Sequence, residues 1–355
     1  MTKDKKMGRL RVTMEDIAKQ AGVSVNTVSR ALSDRPEISP ETKQRILEIA
    51  GRLNYVPNKL ARSLRSNKTG TVGAIIADLA NPFFAALVAG IEEAARHRDY
   101  SLILASTSED YEREERTIQV MLEERVDGLL ITPTQVRADA IVELQRHGTP
   151  FVLIDRYFED VQTDYVVADN VQGGVLAVSH LIDEGYRKIL HIAGPMHTSN
   201  ARERLEGYRR ALEAHNIRYD ESLVCSDAVT MEDGYRIACD VLAQGLHPEA
   251  IFTYSDFVAF GVIRAIRELD LRIPDDIAVV GYDDIEVASA LEVPLTTVRM
   301  PRRKMGRVAM DLLDERIDDQ REEGGHKVTL DVELIVRASS VAESRGSAPE
   351  TRLGR

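Results

Sequence analysis

The chain has 355 residues, of which 43% are hydrophobic, and this length is sufficient for two or three domains. A formal net charge of −12, taken alone, argues against a nucleic-acid partner. The charge is unevenly distributed, however. Residues 1–70 hold 15 Lys and Arg against 7 Asp and Glu, net +8, whereas the remainder is net −20. A basic head on an acidic body predicts a nucleic-acid-binding module joined to a domain of another kind.

Several protein classes are disfavoured by the same composition. Cys225 and Cys239 have neither the number nor the spacing for a disulfide framework or a metal site, which indicates reduced thiols. Met1–Gln20 lacks the apolar segment of an export signal, and no apolar run approaches the ~18–20 residues that span a bilayer. We therefore expect a cytoplasmic protein with no membrane association, no metal and no cofactor.

The first structured segment carries the pattern of a helix-turn-helix. Thr13 can cap the helix MEDIAKQA, although Asp16 stands where a capping box usually has Glu or Gln, so an imperfect box is expected. Gly22 suits a tight turn, and Ser24 can cap a second helix over Val25–Leu32. Two short amphipathic helices joined in this way place the second helix in the major groove.

The outward face of the second helix has side chains suited to reading DNA. Asn26 can pair with adenine, Arg30 with guanine, and Val25 can contact a thymine methyl group. Hydroxyl groups near the helix N-terminus can bond to phosphates, namely those of Ser24, Thr27 and Ser29. The alternative is an ordinary small helical domain with a polar face.

A third helix begins at Ser39-Pro40 and aligns Ile46, Ile49 and Leu53 on one face. The segment that follows, together with the earlier turn, resembles the LacI/GalR family of bacterial transcription regulators. The matching residues are Thr13–Ala21, Gly22-Val23-Ser24, Thr27-Val28-Ser29-Arg30, Leu53-Asn54-Tyr55, Pro57-Asn58, Ala61, Ser63 and Leu64.

This resemblance implies that the segment after Pro57 is a hinge helix that orders only on operator DNA. Leu64 falls on the position that opens a base step from the minor groove, with Asn58 and Ala61 also against the DNA. The alternative for Leu64 is a linker residue that packs on its own domain. The predicted DNA-contacting set is Thr13, Ser24, Val25, Asn26, Thr27, Ser29, Arg30, Asn58, Ala61 and Leu64.

Beyond residue 70, apolar strands alternate with helices of 10–15 residues in two successive series, which indicates parallel sheets covered on both faces. A helix is predicted over Arg202–His215, and a final strand over Val328–Val336. The predicted fold class is an N-terminal all-α helix-turn-helix domain followed by an α/β core of two subdomains with parallel sheets. By resemblance, that core is similar to periplasmic sugar-binding proteins.

Polar and aromatic residues collect at the predicted carboxyl ends of these strands, where open α/β sheets bind ligands. They are Asp78, Phe83, Phe84, Asp155, Arg204, Ser255 and Asp283. Carboxylates, one Arg and aromatic rings suit a hydroxyl-rich small molecule. Each residue also has a structural alternative: a turn cap for Asp283, an exposed helix charge for Arg204, and core packing for Phe83 and Phe84.

The resemblance extends over the body and implies effector contacts for Asp155, Arg204 and Asp283. Stretches that match include Asp169-Asn170, Gly194-Pro195, Arg204-Leu205, Asp256, Ile273-Pro274, Gly281-Tyr282-Asp283-Asp284, Pro294-Leu295-Thr296-Thr297-Val298 and Met305-Gly306. Many relatives carry Asn in place of Ser255, and several carry an aromatic residue in place of Val229. These departures leave the identity of the effector open.

The family's chain crosses between subdomains three times, which is expected here near Ala168, Arg299 and Leu330. The predicted domains are a helix-turn-helix domain (10–56), a hinge helix and linker (57–69), and an effector-binding and dimerisation core (70–342), followed by a disordered tail (343–355). Within the core, one subdomain takes about 70–168 and 300–329, and the other about 169–299 and 330–342. The tail has no apolar heptads, so nothing supports a coiled coil that would join dimers into tetramers. A homodimer is therefore expected.

The sequence therefore favours a DNA-binding transcriptional regulator, a repressor, that acts on a near-palindromic operator and is controlled by a small-molecule effector. A sugar or sugar derivative is the expected effector, with a purine or other metabolite as the alternative. A doubly wound enzyme with a DNA-binding head is disfavoured, because no G-x-G-x-x-G, phosphate loop or nucleophile elbow is present. A solute receptor for transport is disfavoured by the basic head.

Overall fold

A computed structural model describes residues 12–32, 37–55, 68–319 and 325–341. The chain divides between Thr69 and Gly70 into two compact units, a helical head and an α/β core. Three predicted DNA contacts, Asn58, Ala61 and Leu64, lie outside the described residues, as does the predicted tail.

The head consists of three short helices around a small apolar core. They are α1 (Met14–Ala21), α2 (Val25–Leu32) and α3 (Pro40–Arg52). Each helix contributes one side chain with no solvent exposure, namely Ile17, Val28 and Ile46. The bounds of α1 and α2 and the start of α3 agree with the sequence prediction, because caps and apolar spacing are local signals.

The cap of α1 is more complete than expected. The Thr13 hydroxyl accepts a hydrogen bond from the Asp16 N–H, and the Asp16 carboxylate accepts one from the Thr13 N–H at 2.9 Å. Asp therefore closes the reciprocal capping box in place of Glu or Gln, and the prediction of an imperfect box was wrong. Gly22 ends the helix at φ 65°, as the turn requires.

The first sheet of the core is parallel and has the strand order β11-β5-β4-β3-β1-β2. Its elements are β1 (Thr71–Ile76), α4 (Pro82–His97), β2 (Ser101–Ser106), α5 (Tyr111–Glu123), β3 (Gly128–Ile131), α6 (Asp139–Arg146), β4 (Phe151–Ile154), β5 (Tyr165–Ala168), α12 (Arg302–Asp319) and β11 (Lys327–Leu330). Helix α12 packs on α4 and on three strands of this sheet.

The second sheet has the order β12-β10-β9-β8-β6-β7, and only β12 is antiparallel to its neighbour. Its elements are α7 (Asn170–Asp183), β6 (Ile189–Ile192), α8 (Ser199–Ala214), β7 (Val224–Cys225), α9 (Met231–Ala243), β8 (Ala250–Thr253), α10 (Asp256–Glu268), β9 (Ala278–Asp283), α11 (Glu286–Ser289), β10 (Thr296–Arg299) and β12 (Glu333–Ile335).

The chain passes between the two sheets after β5, after β10 and after β11. The predicted single strand Val328–Val336 was wrong: it is two strands, in different sheets, separated by the third passage. Strands β5, β7 and β10 were not among the strands predicted from the sequence. The fold class itself is confirmed: a helical head followed by two α/β layers with mostly parallel sheets.

Close packing of α7 against α8 positions one side of the candidate site. A Cβ atom on Gly207 would lie 2.3 Å from the Val171 carbonyl oxygen, and one on Gly174 would lie 2.6 Å from that of Arg204. Neither distance is sterically possible for a Cβ, so both glycines are required for this approach. This close contact fixes the position of α8, the helix that carries Arg204.

Candidate functional site

The exposed face of α2 carries most of the side chains predicted to read DNA. Val25 is 42% exposed, the side chain of Arg30 is 55% exposed, and Asn26 is exposed as well. Thr27 is half-buried. Ser29 differs from the rest of the set because it is 9% exposed and faces the domain interior. The face available to a base edge is therefore formed by positions 25, 26 and 30.

Several hydroxyl groups of the predicted set already serve as helix caps. The Ser24 hydroxyl accepts from the Thr27 N–H at 3.1 Å and also contacts the Thr27 hydroxyl at 2.9 Å. The Thr13 hydroxyl donates to the Asp16 carboxylate at 2.8 Å. Arg30 forms an exposed ion pair with Glu37 at 3.3 Å. Solvent exposure of this pair keeps it weak, so a phosphate or a base can displace Glu37.

In the core, several non-glycine residues with positive φ lie at the carboxyl ends of strands, while others directly follow helices. Glu109 (φ 59°) follows β2, Gln135 (62°) follows β3 and Asp155 (69°) follows β4, while Asp283 (113°) ends β9 and Asp284 (51°) follows it. Backbone conformations of this kind are uncommon for L-residues. The members at strand ends therefore lie at the sheet edges at which ligands were predicted.

Two polar residues join the subdomains at this edge. The Asn200 amide, on α8 of the second subdomain, donates to Asp155 Oδ2 of the first at 3.0 Å. Asp155 Oδ1 is buried and has no hydrogen-bond partner among the described residues. Burial raises the pKa of the Asp155 carboxyl, against the opposing influence of Arg156 and Arg204. An unsatisfied buried acceptor is what a ligand hydroxyl group would complete.

Arg204 is held in one place by an aromatic and polar enclosure. It is 2% exposed, and its guanidinium lies 3.7 Å from the centre of the Tyr282 ring and 4.8 Å from that of Tyr254. Its Nε donates to Asn170 Oδ1 at 3.0 Å. A further N–H donates to the Tyr254 carbonyl oxygen at 2.5 Å. The alternative of an exposed helix charge is therefore wrong for this residue.

Asp283 faces the same enclosure from the end of β9. It is 4% exposed, and burial raises the pKa of its carboxyl well above the ordinary value, although Arg204 acts in the opposite direction. Asp256 supports this segment from α10, since its carboxylate accepts from the Ile285 N–H at 2.9 Å and from the Thr297 hydroxyl at 2.6 Å. The site thus combines buried carboxylates from both sheets with the buried guanidinium of Arg204.

Arg156 is a second buried guanidinium in the first subdomain. It donates to both carboxylate oxygens of Glu109 at 2.7 Å, and its Nε has no hydrogen-bond partner within the described ranges. The Nε lies 3.8 Å from Asp155 Oδ2. This bidentate pair ties the positive-φ residue Glu109 to Arg156, the neighbour of the positive-φ residue Asp155.

The other predicted effector contacts have structural roles. Phe83 and Phe84 are each 4% exposed and pack edge to face in the hydrophobic core. The Ser255 hydroxyl caps α10 by accepting from the Val258 N–H at 3.2 Å. Asp78 is half-buried and accepts from the Ala80 N–H at 2.9 Å. The structure thus brings Asp155, Arg204 and Asp283 together. The Ser255 hydroxyl caps a helix, and the rings of Phe83 and Phe84 pack in the hydrophobic core.

Sequence reasoning missed three polar residues of the site. Asn200 precedes Arg204 by one helical turn, and this i, i+4 spacing could have indicated a shared face. Gln135 accepts from the Ser199 N–H at 2.8 Å and donates to the Tyr157 carbonyl oxygen. The third is Glu203. Its partners, Asn170 and Tyr157, lie 33 and 46 residues away in the chain, so no local pattern could have indicated it.

Neither a metal cluster nor a membrane span is found. In the part of the chain that the structure describes, no group of three or more His, Cys, Asp or Glu is placed to hold a metal ion. Over the same described ranges, no helix is long and apolar enough to cross a membrane.

Comparison with known proteins accounts for both units. The family described as bacterial regulatory proteins of the lacI family matches residues 13–58. The family described as periplasmic binding proteins and sugar-binding domain of the LacI family matches residues 69–337. The chain is 38% identical over 306 residues to the ribose operon repressor of Escherichia coli (strain K12), a match that covers 86% of this chain and 93% of the relative.

Two other relatives extend this comparison. The HTH-type transcriptional repressor PurR of Photobacterium profundum is 34% identical over 328 residues, covering 92% of this chain and 98% of the relative. Among solved structures, a lac repressor dimer bound to operator and the anti-inducer ONPF superposes with a TM-score of 0.84 at 28% identity, covering 94% of this chain and all of that one.

Proposed function

Since the chain belongs to the lacI family of bacterial regulatory proteins, we propose that it is a repressor that binds a near-palindromic operator as a homodimer. The operator affinity is controlled by a sugar or sugar derivative held between the two core subdomains. In the head, the exposed positions 25, 26 and 30 of α2 read bases. The domain division is the one predicted from the sequence, with the head ending at residue 56 and the core starting at 70.

One observation carries the effector assignment. The buried carboxylates of Asp155 and Asp283, at the ends of strands in different sheets, both interact electrostatically with the buried guanidinium of Arg204, which lies against the rings of Tyr254 and Tyr282. Carboxylates accept hydrogen bonds from several hydroxyl groups at once, and a guanidinium donates to ring or hydroxyl oxygens. Desolvation of all three groups makes them costly to leave unpaired, so a ligand rich in hydroxyl groups is favoured over an apolar one.

Within the sugars, we propose ribose or a related pentose. This choice is supported by the ribose operon repressors, of which the one from Escherichia coli (strain K12) is 38% identical to this chain. A purine is the second candidate, because PurR of Photobacterium profundum is 34% identical.

The experiment is operator selection from random DNA, followed by a metabolite panel scored for changed operator affinity. The panel contains D-ribose, other pentoses, hexoses, guanine and hypoxanthine. We expect a pentose to change operator affinity by about 5–150-fold, the usual range of allosteric coupling. A response to guanine or hypoxanthine alone would assign the purine instead, and no response to any compound would contradict effector control.

The hinge assignment stays a prediction from the sequence. Leu64, with Asn58 and Ala61, is proposed to contact the minor groove at the centre of the operator. Leu64→Ala should weaken binding to the selected operator while leaving effector affinity in the free protein unchanged. Equal binding of the variant and the parent protein to the operator would remove Leu64 from the interface.

The family is one of transcriptional repressors, and we propose that this member has no catalytic activity and acts in the cytoplasm. Arg204 is fixed by its bond to Asn170 and its contact with the Tyr282 ring, and Asp155 Oδ1 is left without a partner among the described residues, an arrangement suited to holding a ligand. Incubation with the effector, followed by product analysis, tests this: recovery of the intact sugar is expected, and turnover would support the enzyme alternative.

A further inference from the structure

Asp284 lies beside the proposed effector contact Asp283 and is the centre of an arginine cluster. Its Oδ1 accepts from Arg337 at 2.6 Å and its Oδ2 from Arg299 at 2.7 Å. The side chain is 9% exposed. Burial alone would raise the pKa of this carboxyl, but the hydrogen bonds from Arg337 and Arg299 prevail and lower it. Asp284 is therefore a fixed anion rather than a solvated surface charge.

The main chain of Asp284 reaches the other subdomain. Its carbonyl oxygen accepts from Arg302 at 2.6 Å. Arg302 is the first residue of α12, which packs on β3, β4 and β5 of the first sheet. Asp284 itself follows β9 of the second sheet. The residue next to an effector contact thus bonds directly to the helix that begins where the chain re-enters the first subdomain.

The same cluster joins residues that lie beside two of the three connections between the sheets. Arg299 is the last residue of β10, immediately before the second connection, and it also pairs with Glu333 at 3.2 Å. Glu333 is the first residue of β12, immediately after the third connection. Arg337 is held in turn by the Leu295 carbonyl oxygen at 2.7 Å. All of these residues belong to the second subdomain, so the pairs tie together its ends of the second and third connections, and the bond from Arg302 to the Asp284 carbonyl oxygen joins that cluster to the first subdomain.

The segment that joins Asp283 to Asp284 has little freedom to absorb a displacement. Both residues have positive φ, and the Asp284 N–H donates to the Thr297 hydroxyl at 3.3 Å. The next N–H, that of Ile285, is fixed by the buried Asp256 carboxylate. A ligand that moves Asp283 therefore moves Asp284 with it, and the arginine cluster must follow or break.

We propose that Asp284 is a positioning residue that transmits effector occupancy at Asp283 to the second and third connections between the subdomains. The inference deepens the proposed function, since it names the residue through which the effector site acts. Asp284 does this through the ion pairs with Arg299 and Arg337 and the carbonyl bond to Arg302.

The first test needs no effector. Hydrogen exchange of the full-length protein is compared for Asp284→Asn and for the control Asp276→Asn, which removes a carboxylate bound to Arg272 in the same subdomain. We expect backbone exchange at residues 299–302 and 330–333 to be about fivefold faster in Asp284→Asn, because local opening there is no longer opposed by the ion pairs. The control should leave exchange at both connections unchanged. Unchanged exchange in Asp284→Asn would overturn the proposal.

The second test measures coupling on the selected operator, with D-ribose as the probe. Asp284→Asn should reduce the ratio of operator affinities without and with D-ribose by about fivefold or more. Its affinity for D-ribose in the free protein should stay within about twofold of the parent value, because the contact at Asp283 is retained. An unreduced ratio would overturn transmission through Asp284.

A milder variant covers the case in which Asp284→Asn does not fold. Arg299→Gln alters a side chain that is 48% exposed, so folding is retained while the links to Asp284 and Glu333 are lost. It should change exchange and coupling in the same direction. If the parent protein does not respond to D-ribose, the proposed effector is wrong, and the exchange measurement alone decides whether Asp284 ties the connections.

Discussion

The head and the core place their proposed functional side chains at opposite extremes of solvent exposure. In the head, Val25 is 42% exposed and the Arg30 side chain 55%. In the core, Asp155 and Asp283 are 4% exposed and Arg204 is 2%. The head therefore offers chemistry on a solvated surface, whereas the core withdraws its polar groups from water and pairs them with one another.

This difference follows from the two kinds of ligand. DNA is a dense polyanion, and cations attract it from solution without being buried. A small neutral ligand offers no such field, so a protein gains affinity and selectivity by orienting desolvated donors and acceptors in advance. Substitutions on the head surface should therefore change recognition and leave stability unchanged, whereas substitutions in the core site should change both.

The largest effect is expected for Arg204→Met. The substitution removes the only donor to Asn170 Oδ1 that the described residues show and the cation between the Tyr254 and Tyr282 rings. Effector affinity should fall about 100-fold or more, and the core should unfold at lower urea concentration. Calorimetric titration with the effector and urea unfolding measure the two effects.

Arg210→Met is the matched control on the same helix, because Arg210 is exposed and pairs only with Glu206 within the described residues. Affinity of the control for the effector should equal that of the parent protein. If Arg204→Met and Arg210→Met behaved alike, burial would not distinguish functional from surface arginines in this core.

A smaller effect is expected for Glu114→Gln. Glu114 has no solvent exposure, its Oε2 accepts from the Thr134 N–H at 2.6 Å, and burial raises the pKa of its carboxyl from 4.5 to about 7. The folded core holds this proton more tightly than the unfolded chain, so stability is lost as the pH rises from about 4.5 through about 7.

Gln cannot ionise and therefore escapes this loss. Above about pH 8, Glu114→Gln should be more stable than the parent core by about 2 kcal/mol, and the difference should vanish near pH 4. Urea unfolding across this range measures it. None of the charged side chains in the described part of the head is fully buried, so no comparable pH dependence is expected there. A pH-independent difference would show that the effect of Gln comes from packing.

Arg30→Ala should have a more modest and more specific effect. Arg30 is exposed on α2, so its loss leaves the apolar core of the head intact. Discrimination between the selected operator and a sequence altered at one guanine should fall by about 1–2 kcal/mol. Binding to unrelated DNA should weaken much less. Arg52→Ala on α3 is the control, because it removes the same charge, and it should retain discrimination between the two sequences. If both variants weakened binding equally on all DNA sequences, Arg30 would contact only phosphate.

The head and the core also differ in how much of each could be predicted from the sequence. The bounds of α2 and the capped start of α3 follow from signals within four residues of each helix end. The split of Val328–Val336 into two strands does not, because the assignment of each half depends on which sheet has a free edge. Asn200 was missed for a similar reason, since its partners Asp155 and Tyr254 lie 45 and 54 residues away in the chain.

The smallest effect is expected for Thr13, which has both a structural and a predicted DNA-binding role. Its hydroxyl and N–H are engaged with Asp16 in the capping box, so Thr13→Ala should destabilise the head by about 1 kcal/mol. Thr13→Ser retains the hydroxyl and should restore most of that stability.

Operator affinity measured well below the unfolding temperature then separates the two roles. Unchanged affinity in Thr13→Ala would make Thr13 a cap alone, whereas a loss that Thr13→Ser restores would place the same hydroxyl against a phosphate while it caps α1. In that second case, Thr13 would contribute to both stability and recognition, as Arg204 does in the core. The contrast between the two units would then hold for the side chains on α2 but not for the N-terminal cap of α1.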